Sequence, residues 1–169
     1  MPLHRGQIVL VDTNVIIEAH HTSCLPQLAN HFQLCTVEKV IEETQQGKQR
    51  RSPERNIDEA QLRGWMLEIG SVTEEQRFNF TLMHQAIGLD AGERDLLIWA
   101  ENRQDAWILN SPDMAVLRFA NRKGWLDRLV SLEDMCRSMG ARLSQDLREN
   151  FRENWLSMNR TDFRMGVLR

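Results

Sequence analysis

One uninterrupted apolar run that ends in an acid constrains this chain most. Ile8-Val9-Leu10-Val11 places four strand-forming side chains in succession, with no polar residue to face water. Such a run predicts a strand, over 7–12, buried on both faces. Asp12 closes it, Thr13 and Asn14 follow, and Val15-Ile16-Ile17-Glu18-Ala19 opens a helical pattern. A strand covered on both faces belongs in the middle of a parallel sheet. Open α/β sheets hold their ligands at the carboxyl edge, where the strand order reverses. A carboxylate at that edge needs a cation, a donor or a proton.

The rest of the chain alternates in the same way. Leu25-Pro26-Gln27-Leu28 begins a short helix, Leu34-Cys35-Thr36-Val37 a second strand, and 38–46 a helix that Gly47 ends. Helices are expected over 58–69, 74–87, 90–102, 111–122 and 132–139, with strands at 107–110 and 129–132. Leu143, Leu147, Phe151, Trp155 and Met158 form one apolar stripe and predict an amphipathic helix over 143–158. The expected class is α/β: an α/β/α sandwich around a central parallel sheet of four to five strands, plus a C-terminal helix. Residues 1–140 would form the domain, and 141–169 a helical extension packed on it.

At 169 residues and 41% hydrophobic content, the chain can bury one real core. No apolar run approaches the ~20 residues that span a bilayer, and 1–6 lead directly into the strand, so neither membrane nor leader is expected. Cys24, Cys35 and Cys136 are odd in number and lack metal-type spacing, which reads as reduced thiols in a cytoplasmic protein. The five histidines show no paired metal spacing, and the five tryptophans fit packing better than base stacking.

The net charge of −3 does not announce a nucleic-acid binder, but its distribution is uneven. Acids dominate up to residue 47. Lys48, Arg50, Arg51 and Arg55 then form a basic stretch, and Arg118, Arg122, Lys123 and Arg128 form another. That pattern suits a cation site beside a polyanion track; solvated loops and helix faces are the plainer account.

Three further acids accompany Asp12. Glu42 and Glu43 share the helix after the second strand, and neighbouring helical residues point about 100° apart, so only one can face a site squarely. Asp90 and Glu93 have capping-box spacing. Asp113 follows the strand at 107–110, with Ser111 as expected N-cap and Pro112 as first helical residue. Four carboxylates near one edge repel unless cations compensate them. Hard oxygen ligands suit Mg²⁺ or Mn²⁺. A dinucleotide-binding enzyme would need a glycine-rich first turn, which Asp12-Thr13-Asn14 is not.

Val11-Asp12-Thr13-Asn14-Val15 resembles the opening strand and first acid of the PIN domain nucleases. Gly92-Glu93, with Ala100 beyond, is similar to their third-acid helix, and Ser111-Pro112-Asp113 to their Thr/Ser-x-Asp segment. Glu43, followed by Thr44, matches the second acid better than Glu42. The resemblance covers about 7–135; Pro112, the insertion and the tail depart from it. It implies a metal-dependent endoribonuclease acting on RNA, with VapC-type toxins among its bacterial members. An antitoxin protein and a second copy of the chain are then candidate partners. Asp12, Glu43, Glu93 and Asp113 would be catalytic, with Asp12, Glu93 and Asp113 holding Mg²⁺ or Mn²⁺. Asn14 and Ser111 would orient ligands or phosphate, with Lys48, Arg50, Arg51 and Arg55 on the substrate. The alternative is a catalytically inactive PIN fold that binds RNA or protein.

The basic stretch yields a prediction. Replacing Lys48, Arg50, Arg51 and Arg55 together by Ala should weaken RNA binding across sequences. It should also flatten the log–log salt dependence by roughly 0.7 for each phosphate that the variant no longer neutralises. Titrations at several salt concentrations measure this, and an unchanged slope would leave the stretch an ordinary solvated one.

Overall fold

The first strand has no free edge because strands pair with it on both sides, and helices cover its two faces. In the computed structural model, which describes residues 2–47, 56–85 and 88–169, β1 (Ile8–Val11) runs parallel to both β2 (Gln33–Val37) and β4 (Trp107–Asn110). Leu10 lies opposite Cys35 on one side and Leu109 on the other. A fourth parallel strand, β3 (Glu68–Gly70), extends the far side of β2, giving the order β3-β2-β1-β4. The chain thus winds outward from β1 through β2 to β3, then returns to place β4 on the other flank. The reversal lies between β1 and β4.

Nine α-helices among the described residues flank this four-stranded sheet. After β1 come α1 (Thr13–His21) and α2 (Leu25–His31); after β2 come α3 (Glu38–Gln45) and α4 (Glu59–Trp65). Between β3 and β4 stand α5 (Glu74–Met83) and α6 (Ala91–Glu101). After β4 come α7 (Met114–Lys123), α8 (Leu132–Ser138) and α9 (Glu153–Arg164). Helix α3 packs against α1 and α6, and α9 against α7 and α8. Gly124 ends α7 in the left-handed conformation that a side chain would resist. The architecture is the expected α/β sandwich.

Several expected elements change. The helix expected over 58–69 stops at Trp65, and Glu68–Gly70 pairs with Cys35–Val37 instead. The strand expected at 129–132 is reduced to one bridge, Leu129 to Leu109, because α8 starts at Leu132. The tail is α-helical only from Glu153, not from 143, with a single 3-10 turn at Glu149–Phe151 before it. Its first part is held by backbone groups left over at the end of α1: Ser144 N–H donates to the Thr22 carbonyl (3.0 Å) and the Gln145 amide to that of His21 (2.8 Å). Leu156 and Phe163 bury the inner face of α9, and the Arg160 guanidinium donates to the Leu129 carbonyl.

Two buried acids are neutralised by arginines. Glu18 on α1 accepts from the Arg148 backbone N–H (2.9 Å) and guanidinium (2.8 Å), tying the tail to the first helix. Asp95 on α6 accepts from Arg77 on α5 at 2.7 Å and 3.0 Å, and from Arg94. Arg148→Ala should leave the buried Glu18 with only the backbone donor. Because the guanidinium is half exposed, the loss should be modest, about 1–2 kcal/mol by urea unfolding, with earlier proteolysis in the tail.

Candidate active site

Three helices begin at the carboxyl edge of the sheet, each capped by an aspartate. Asp12 caps α1, its Oδ1 accepting the Val15 N–H at 2.9 Å. Asp90 caps α6, accepting from Glu93 N–H at 2.8 Å, while Glu93 Oε2 accepts the Asp90 N–H at 3.0 Å, a reciprocal capping box. Asp113 caps α7, accepting from Ala115 N–H at 2.6 Å. The last contact corrects the expected assignment of Ser111 as N-cap and Pro112 as first helical residue. Asp113 itself is the cap and Met114 opens the helix, because Ser111 is still buried beside the end of β4. Each acid spends one oxygen on a helix N-terminus. The aligned peptide dipoles there favour negative charge.

Glu43 joins two of these helix ends. Its Oε2 accepts from the Thr13 hydroxyl at 2.6 Å, and its Oε1 from the Gly92 N–H at 2.9 Å. It therefore bridges the first turns of α1 and α6. Gly92 is required by that approach: a Cβ there would lie 2.3 Å from Glu43 Oε2. Glu42 points outward and pairs with Lys39, so Glu43 is the inward member of the pair. Sequence pattern assigns Thr13 no role; only the fold brings its hydroxyl to a residue thirty positions away. Asp90 is legible in sequence only as a cap, since nothing local shows that α6 starts beside β1.

The electrostatics are those of a cluster short of positive charge. Asp12 is 1% exposed, and its Oδ2 is buried without a hydrogen-bond partner. Burial raises its pKa from 3.8 to about 7; the Ser111 hydroxyl and Val15 N–H oppose the rise, and the charges of Asp90 and Asp113 add to it. Glu93 rises from 4.5 to about 8, first through burial and then through Asp90, Asp113 and Asp12, against the Asp90 N–H. No ion pair to Asp12, Glu43, Asp90, Glu93 or Asp113 exists among the described residues. Nor do any three Asp, Glu, His or Cys side chains among them close to metal-ligand spacing.

The other expected site residues are less central. Asn14 is exposed on the first turn of α1. Ser111 adjoins Asp12 electrostatically, and its Oγ accepts a long 3.4 Å contact from Asp113 N–H. Lys48, Arg50, Arg51 and Arg55 lie outside the described residues. Two members of the second basic stretch are engaged away from the acid edge. Lys123 pairs with Glu101, and Arg128 donates to the Trp107 carbonyl at the start of β4, the end of the strand opposite the acids.

The raised acids make a pH prediction for chelator-treated protein. At about pH 4 Asp12 is protonated in the folded chain and about half protonated in the unfolded one, so little is lost. As pH rises from 4 to 8 the unfolded chain ionises freely while the folded one resists, so stability falls. Asp12→Asn should remove part of this slope and stabilise the metal-free protein on the order of 3 kcal/mol at pH 8. Melting curves at pH 5 and pH 8 test it; a parallel fall in the variant would contradict it.

Comparison with known proteins gives one result. A family model described as a PIN domain matches residues 8–125. No curated protein and no solved structure matches the chain. The matched stretch holds all four strands and all five acids of the edge, and the chain belongs to the PIN domain family.

Proposed function

We propose that this chain is a divalent-metal-dependent endoribonuclease hydrolysing RNA phosphodiester bonds. One contrast carries the reading. Buried Glu18 and Asp95 are each given an arginine, whereas buried Asp12 and Glu93 are given none among the described residues. A fold that neutralises its structural acids and leaves these two bare has reserved them for a cation from outside. The bare Asp12 Oδ2 and the all-carboxylate donor set suit a hard ion such as Mg²⁺ or Mn²⁺. Because the acids stand apart, waters would complete the coordination.

Asp12, Glu93 and Asp113 would hold the metal, each through the oxygen its helix cap leaves over. When bound, the metal supplies Lewis acidity toward phosphate and water. Glu43 holds the first turns of α1 and α6 at a fixed separation, so Asp12 and Glu93 keep their spacing without Glu43 contacting substrate. Asn14, exposed on the same turn as Thr13, offers an amide to a phosphate oxygen, and the Ser111 hydroxyl steadies Asp12. The basic stretch around Lys48–Arg55 would add sequence-independent contacts to the RNA backbone. A VapC-type toxin, with an antitoxin or a second copy as partner, is the finer proposal. It rests on the family resemblance. The described residues include no helix long and apolar enough to cross a membrane, and we place the activity in the cytoplasm.

Labelled single-stranded RNA incubated with protein and Mn²⁺ or Mg²⁺ tests this. Cleavage should stop with EDTA and fall at least about 100-fold in Asp12→Ala, Glu93→Gln and Asp113→Asn, leaving 5′-phosphate and 3′-hydroxyl ends. A 2′,3′-cyclic phosphate would mark the RNA's own hydroxyl as nucleophile and refute metal-assisted hydrolysis. Binding without cleavage at any metal concentration would make the chain a PIN-fold binding module.

A further inference from the structure

Cys24 and Cys136 are 112 positions apart in sequence, yet their sulfurs are 3.5 Å apart, the Cys136 S–H donating to Cys24. Both thiols are buried. They come from separately anchored elements: Cys24 caps α2, which Leu25 and Leu28 root in the core, and Cys136 lies on α8 beside buried Leu132 and Met135. Neither belongs to the acid edge. The nine residues of α1 put about 14 Å between Asp12 and the Cys24 end. Cys136 also borders a surface cavity of about 290 Å³ shared with Arg137, Leu143 and Arg152, which gives a small molecule a way in. The third cysteine differs: Cys35 lies on β2, facing the Gln33 carbonyl at 3.8 Å.

We propose that Cys24 and Cys136 form an oxidisable pair, which a peroxide-class oxidant converts to an intramolecular disulfide that locks α2 to α8 and stabilises the fold without altering the acid edge. The sulfurs need to close by about 1.5 Å to reach bonding distance. Side-chain rotation with a slight approach of two short helices can supply this. Closing so long a loop restricts the unfolded chain strongly.

Cys136, the sulfur that borders the cavity, meets the oxidant, and Cys24, 3.5 Å behind it, resolves the product. The Cys136 sulfur attacks one peroxide oxygen, the O–O bond breaks, and the departing oxygen leaves as water after taking up the Cys136 proton. The Cys24 sulfur, whose pKa the contact with Cys136 lowers, then attacks the sulfenic sulfur of Cys136. The S–O bond breaks, and hydroxide leaves with the Cys24 proton as a second water. Two thiols thereby lose two electrons and two protons, and one hydrogen peroxide becomes two waters.

The test treats the full chain with hydrogen peroxide or with dithiothreitol. Thiols titrated after denaturation should fall from three to one, peptide mapping should recover a Cys24–Cys136 cross-link, and the melting temperature should rise by about 5 °C or more. Dithiothreitol should reverse all three. Cys35→Ala should behave as wild type, and Cys24→Ala and Cys136→Ala should each lose the rise. Should either alanine variant fail to fold, the mapped cross-link and reversible shift in wild type still decide. The rise in melting temperature that Mn²⁺ produces should be equal in oxidised and reduced protein. Three thiols persisting, thiol loss without a cross-link, pairing through Cys35, a lower melting temperature on oxidation, or an altered Mn²⁺ response would each overturn the proposal.

Discussion

A carboxylate buried with one oxygen on a helix N-terminus and the other bare is the constraint around which this fold is arranged. Asp12 gives Oδ1 to Val15 and leaves Oδ2 without a partner. Burial alone would make that arrangement expensive. The fold offsets the cost by starting three helices at the same edge, so that the positive ends of α1, α6 and α7 face the acids. The reversal of strand order between β1 and β4 makes this convergence possible, because it opens a crevice between the strands that deliver Asp12 and Asp113.

Glu43 converts convergence into fixed geometry. It belongs to α3, yet it accepts from α1 through Thr13 and from α6 through the Gly92 amide. A site assembled from helices that could slide would not keep its acids in register; one carboxylate bonded to both first turns prevents the sliding. Gly92 is the complementary concession, since any side chain there would occupy the space of the Glu43 carboxylate. The edge thus divides its labour. Asp12 and Glu93 stand without a positive partner among the described residues, and Glu43 spends both its oxygens on fixing the helix turns that carry them.

The arginine pairs away from the edge sharpen this division. Arg148 draws the tail onto Glu18, and Arg77 joins α5 to α6 through Asp95. These pairs knit the periphery together. The strongest raised carboxyls, Asp12 and Glu93, are those the chain itself leaves without a positive partner among the described residues. The chain thus gathers acids without a positive partner at one edge and pairs its other buried acids with arginines away from it.

The sequence by itself determined the parts governed by local pattern. The unbroken Ile8–Val11 run required a central strand, Asp12 fell at its end, and Asp90 with Glu93 carried the signature of a capped helix start. Tertiary structure decided what depends on partners far along the chain. β3 is three residues long and exists because β2 offers it a ladder, so its own residues read as the end of a helix. Asp113 became the cap because Ser111 was taken into the buried end of β4. The early part of the tail follows the free carbonyls of α1 instead of its own apolar period. The Thr13–Glu43–Gly92 bridge and the Cys24–Cys136 pair join residues with no periodic relation. Local pattern records how a segment buries its own face, whereas such pairings are fixed only when distant segments pack.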